Sequence, residues 1–174
     1  GEVGHAGQRV HHTFTLAEPA RLYLDALLAS TELRWTLSGP RGLVLGDQAF
    51  SATDSAAYAA SPALELPAGD YTLTVAGVGA ATGSFAFRLL DLATATELLP
   101  GTPVSGQLRP TRETDLYRFT ASAGQRFFLD LLAAGGGDAR WRLLDPAGGQ
   151  VFGPSSLADI EVFAVPSDGE YTLL

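Results

Sequence analysis

Apolar residues recur at every second position in short runs along most of this chain. Leu22, Leu24 and Ala26 alternate with Tyr23, Asp25 and Leu27, and Leu33, Trp35 and Leu37 with Arg34 and Thr36. Tyr71, Leu73 and Val75 alternate with Thr72 and Thr74, and Phe85, Phe87 and Leu89 with Ala86 and Arg88. Successive side chains of a β-strand point to opposite faces. A period of two therefore sets one face on a core and the other toward solvent, as in antiparallel sheets. Turn signals separate the runs: Gly39-Pro40-Arg41-Gly42, Pro67-Ala68-Gly69-Asp70, Asp145-Pro146-Ala147-Gly148 and Ser167-Asp168-Gly169. Proline presets the first central torsion of such a turn and glycine accepts positive φ. Many short strands punctuated in this way predict an all-β chain of antiparallel β-sandwich, jelly-roll-like architecture.

Two segments break the rhythm. Leu89–Leu99 holds helix formers, but it follows an alternating run and ends at Pro100-Gly101, so it reads as a strand end plus linker. Residues 46–63, with Asp47, Ser51, Thr53, Ser55 and an alanine cluster, read as a loop.

The pattern occurs twice. His12-Thr13-Phe14-Thr15, Arg21–Leu27, Arg34-Trp35-Thr36-Leu37, Pro40, Gly42 and Gly69–Leu73 return in the same order about 105 residues later. The second set is Tyr117-Arg118-Phe119-Thr120, Arg126–Leu132, Arg140-Trp141-Arg142-Leu143, Pro146, Gly148 and Gly169–Leu173. Self-similarity on this scale predicts two copies of one folding unit, with residues 1–98 as the first and residues 99–174 as the second. The second copy stops at Leu174, where the first continues to Phe85–Leu89. It is therefore expected to be C-terminally incomplete, either less ordered near residues 165–174 or completed by a neighbouring molecule.

Composition narrows the function classes. The net charge is −8 and all 11 basic residues are arginines scattered among carboxylates, which argues against a nucleic-acid partner. With 0 cysteines there are no disulfides, no thiol nucleophile and no zinc–thiolate site. No apolar run is long enough for a transmembrane helix. No phosphate loop, nucleophile elbow or paired-carboxylate cleft is recognisable, so no catalytic residues and no cofactor are assigned and the chain reads as a non-enzyme.

A resemblance adds to this reading. Asp91–Thr96, Pro100–Leu108 and Glu113–Gln125, followed by Asp145-Pro146-Ala147-Gly148 and Gly169–Leu173, are similar to the bacterial pre-peptidase C-terminal (PPC) type domain. The resemblance is closest to the PPC-like tandem repeats of large secreted or surface proteins. The first copy matches less well, with Gln8, Val10 and His12 where the second has Glu113, Asp115 and Tyr117. The resemblance implies a non-catalytic structural or adhesive module of a large extracellular or cell-surface protein, an adhesin for example, contacting neighbouring repeats of the same chain. The alternative is an accessory domain of a secreted hydrolase or peptidase that binds polysaccharide or a protein substrate. Some PPC domains bind calcium.

Five groups of residues are candidates for chemistry or exposure. His5, His11 and His12 cluster, but His11 and His12 fall on opposite sides of a strand, with His12 in the core-facing phase, so three ligands do not converge. Glu113 and Asp115, with Asp130 or Asp145, are the oxygen-rich candidates for Ca²⁺; the plainer reading makes Asp115 a turn cap. Trp35, Trp141, Tyr71 and Tyr171 share the phase of the core leucines and are expected to be buried. Tyr23 and Phe128 lie on the opposite phase, as candidates for exposed or inter-sheet aromatics. Asp25, Asp130, Arg34 and Arg140 also lie on that phase, as candidates for a cross-strand ion pair.

Overall fold

A computed structural model describes residues 1–53, 62–109 and 112–174. Its contacts divide the chain into two compact units, Gly1–Tyr58 with Leu64–Ala93 and Ala59–Ala63 with Thr94–Leu174. Among the described residues every regular element is a strand or a short 3-10 turn. The chain is all-β.

The first unit contains β1 (Glu2–Val3), β2 (Arg9–Leu16), β3 (Ala20–Ala26), β4 (Leu33–Gly39) and β5 (Gly42–Ala49). These are followed by β6 (Leu64–Leu66), β7 (Gly69–Gly77), β8 (Gly83–Ser84) and β9 (Phe87–Asp91). One sheet has the order β2-β7-β4-β5 and the other β6-β3-β9, with a short β1-β8 pair besides. The chain passes from one sheet to the other between β2 and β3, β3 and β4, β5 and β6, and β6 and β7. Among the described residues only β4 and β5 form a hairpin of consecutive strands, closed by Gly42 at φ 97°. Leu22, Leu24, Leu64 and Leu66 of one sheet and Trp35, Leu37, Tyr71, Leu73 and Val75 of the other form one buried cluster. The alternation in the sequence is thus the alternation of a β-sandwich.

The second unit contains β10 (Thr96–Glu97), β11 (Tyr117–Ala121), β12 (Arg126–Leu129), β13 (Arg140–Leu144), β14 (Gln150–Ser156), β15 (Ile160–Ala164) and β16 (Gly169–Leu173). Its larger sheet has the order β10-β11-β16-β13-β14, and β12 pairs with β15 in the other. Phe119, Ala121, Leu143, Val165 and Tyr171 form its buried cluster, with Phe127, Phe152 and Phe163 packed against it.

Each unit carries the same irregularities. Trp35 faces Gln48 and Leu37 faces Leu45 across β4–β5, one residue more on β5 than on β4. Trp141 faces Ser155 and Leu143 faces Phe152 across β13–β14, with the same bulge. A second shift follows at Leu37/Ser38 and again at Leu143/Leu144. Bulges increase local twist, which lets a flat hairpin curl over a core.

The structure differs from the sequence expectations at several points. Residues 46–49 continue β5, and Phe50–Ala52 make a 3-10 turn, so the expected loop is shorter at its start; residues 54–61 of that loop lie outside the described residues. Leu92–Thr94 form a 3-10 turn after β9. Thr96–Glu97 form β10, parallel to β11 in the second unit. Gly169–Leu173 is neither frayed nor an edge. β16 is bonded to β11 on one side and β13 on the other, and Leu174 exchanges two backbone hydrogen bonds with Arg142.

Candidate functional site

Trp35 is fully buried, and its indole N–H donates to Thr53 Oγ at 2.8 Å; Thr53 Oγ in turn donates to the Ala49 carbonyl. The 3-10 turn after β5 brings Thr53 there. The shorter segment after β14 supplies no such hydroxyl. Trp141, expected to be buried like Trp35, is only half-buried, and its Nε1 has no hydrogen-bond partner among the described residues. Arg142, on the opposite phase, is buried together with Leu143 and Leu144 of that strand. Tyr71 and Tyr171 are both buried as expected. Each hydroxyl donates back to a carbonyl four residues earlier, Tyr71 to Pro67 at 2.6 Å and Tyr171 to Ser167 at 2.8 Å. Each ring stacks on the matched phenylalanine of the neighbouring strand, Phe14 at 5.1 Å and Phe119 at 5.7 Å.

The opposite-phase aromatics part company. Phe128 is exposed, whereas Tyr23 is buried, so the exposed alternative does not hold for Tyr23. β3 lies between β6 and β9, and both of its faces are covered. Asp25, on the same face as Tyr23, is fully buried rather than solvated. It is ion-paired with Arg88 of β9 at 2.6 Å, a bond reinforced by Arg88 Nε at 2.8 Å. The cross-strand pair exists, but its cation is Arg88 and not Arg34, whose Nη1 donates to the Asp47 carbonyl. Asp130 is exposed, and Arg140 is held by Asp138 at 3.1 Å. The signal for a buried Asp25 was there to be seen. The run Leu22–Leu28 is apolar on both phases apart from that one residue, the mark of a strand covered on both faces.

The histidines do not converge. His11 Nδ1 lies 2.9 Å from Thr74 Oγ on one side of β2. His12, on the core-side phase but exposed, sets its ring edge-on against Phe85 and Phe87 at 5.7 and 5.3 Å. Nor do the four carboxylates. Glu113 accepts the Arg109 N–H, and Asp145 accepts the N–H groups of Ala147 and Gly149 inside its own turn. Asp115 lies beside Tyr117, whose phenol is pushed above its ordinary value of 10.0 by burial first and by that carboxylate second. Among the described residues no three His, Asp or Glu side chains come together as a metal site.

A shallow groove in the second unit is lined by Glu97, Leu98, Pro100, Arg118 and Glu170. Its guanidinium is already engaged: Arg118 donates to the Ala95 carbonyl at 3.0 Å and to Glu170 at 2.5 Å. No helix among the described residues is long and apolar enough to cross a membrane. Comparison of the chain with family models, with curated proteins and with solved structures gives no match in any of the three.

Proposed function

We propose that the chain is two tandem copies of one non-catalytic β-sandwich module, of PPC-like type, that serves as a structural or adhesive repeat in a large extracellular bacterial protein. The observation that carries this reading is the likeness of the two units over their six matched strands. The orders β2-β7-β4-β5 and β11-β16-β13-β14 agree, and β3–β6 corresponds to β12–β15. The bulges, the tyrosine-to-carbonyl bonds and the glycine–proline approaches recur at the matched residues. What the two copies share is therefore scaffold. The polar groups that differ between them, His11, His12, Glu113 and Asp115, do not come together as a metal site among the described residues. A module repeated for its scaffold suits an extended, load-bearing array.

Single-molecule pulling on the chain tests this. Two separate unfolding events are expected, each releasing roughly 250–300 Å of contour length. One cooperative event would remove the repeat reading. Saturable binding of a soluble polysaccharide or cleavage of a peptide substrate would replace the structural role with the accessory-domain one.

A further inference from the structure

In the first unit, β9 lies antiparallel along β3, with Leu90 opposite Tyr23, Leu89 opposite Leu24, Arg88 opposite Asp25 and Phe87 opposite Ala26. Under this cover Tyr23 is 3% exposed and Asp25 0%. The matched strand of the second unit, β12, pairs with β15 alone, and its other edge has no strand partner among the described residues. Phe128, at the position of Tyr23, is 46% exposed, and Val162 of β15 is 50% exposed. Asp130, at the position of Asp25, is exposed and makes no ion pair among the described residues.

We propose that the open edge of β12 is an acceptor for one further β-strand, a segment of a repeat of this same kind, antiparallel and in the register that β9 takes on β3. The segment carries an arginine opposite Asp130 with apolar residues on either side, as Arg88 stands between Phe87 and Leu89. This rests on the reading of the two units as copies. Three properties of the edge fit that occupant. Its unpaired N–H and C=O groups are the template for strand addition. Phe128 offers a bare aromatic surface for the cross-strand neighbour that Tyr23 has in Leu90. The lone carboxylate of Asp130 selects a cation at one position of the incoming strand, which fixes register, because a one-residue slip would place an apolar residue against it.

The test uses the 174-residue chain and a synthetic peptide with the sequence of residues 83–91. Saturable binding is expected, with slowed amide exchange at residues 126–131 and no change in β3. A peptide with Arg88→Glu should bind about tenfold more weakly, and an Asp130→Arg chain should recover binding to a peptide with Arg88→Asp. Asp130 is exposed, so that variant keeps its fold. Absence of binding at millimolar peptide overturns the proposal, and if the two pulling events persist the repeat reading stands without it. Indifference of binding to both charge changes, or a dimer of the chain that protects β12 without peptide, overturns the choice of occupant.

Discussion

Gly69 sits against the ring of Pro40 so closely that a Cβ on it would stand 2.7 Å from Pro40 Cγ, and its φ is 142°. Gly169 makes the same approach to Pro146, again at 2.7 Å, with φ 136°. Two turns far apart in sequence, Pro-x-Gly and Gly-x-Tyr, are thus one structural device. The proline caps the β4–β5 or β13–β14 turn, the glycine lets the next central strand start beneath it, and the tyrosine two residues on bonds back over the turn.

Gly69→Ala and Gly169→Ala should each destabilise their own unit by about 2 kcal/mol, since an added methyl meets both a disfavoured backbone region and a rigid ring. Urea unfolding with a tryptophan probe would register this. Losses below half a unit of that size, with Pro40 and Pro146 intact, would show that the contact relaxes freely.

The Asp25–Arg88 pair predicts an asymmetry. Arg88 keeps about a third of its side chain in solvent while Asp25 has none. Arg88→Ala leaves a carboxylate buried without its cation and should cost about 3–5 kcal/mol. Asp25→Asn leaves an arginine that can turn to water, and should cost about 1–2 kcal/mol. Equal losses in thermal melts of the two variants would mean that the buried charge is not what makes the site expensive.

The alternation of Leu33–Leu37 and Tyr71–Val75 made the larger sheet of the first unit readable from sequence, because those strands have one face on the core and one outside. β3 misled for the opposite reason. Both of its faces are covered, so period two says nothing about Tyr23 and Asp25. What covers a strand depends on which strand lies beside it, and β9 arrives more than 60 residues after β3. Position 141 misled because matched sequence implies matched register but not a matched surround. The surround of Trp35 includes Thr53, from a segment the second unit has in shorter form. Candidate ligands were legible only as residue types. Their failure to converge is a matter of register, which composition does not carry.

That difference gives the tryptophans unequal weight. Trp35→Ala should cost about 3–5 kcal/mol, the range for a large aromatic lost from a closed core. Trp141→Ala, at a half-buried site with an indole N–H that bonds nothing among the described residues, should cost roughly half as much. Fluorescence should separate them too, with Trp35 the blue-shifted and poorly quenched emitter. Equal acrylamide quenching of single-tryptophan variants would contradict the assignment.

Tyr117 supplies a pH dependence whose sign is fixed by its surroundings. Burial, and secondly the Asp115 carboxylate, disfavour the phenolate and raise the group above its ordinary 10.0. The native state therefore holds this proton more tightly than the unfolded chain does. Its stabilising effect is complete below pH 10 and is lost as pH climbs through 10 toward the raised native value, because the unfolded chain ionises first. Between about pH 9 and 12 the second unit should lose stability on this account. Tyr117→Phe should flatten that part of the profile, and Asp115→Asn should reduce its slope by the smaller, charge-derived share. Denaturant titrations of the three proteins across that range decide the matter. A Tyr117→Phe profile parallel to the wild type would show that other tyrosines or arginines govern the alkaline limb. A slope that vanished in Asp115→Asn alone would reverse the order of the two causes.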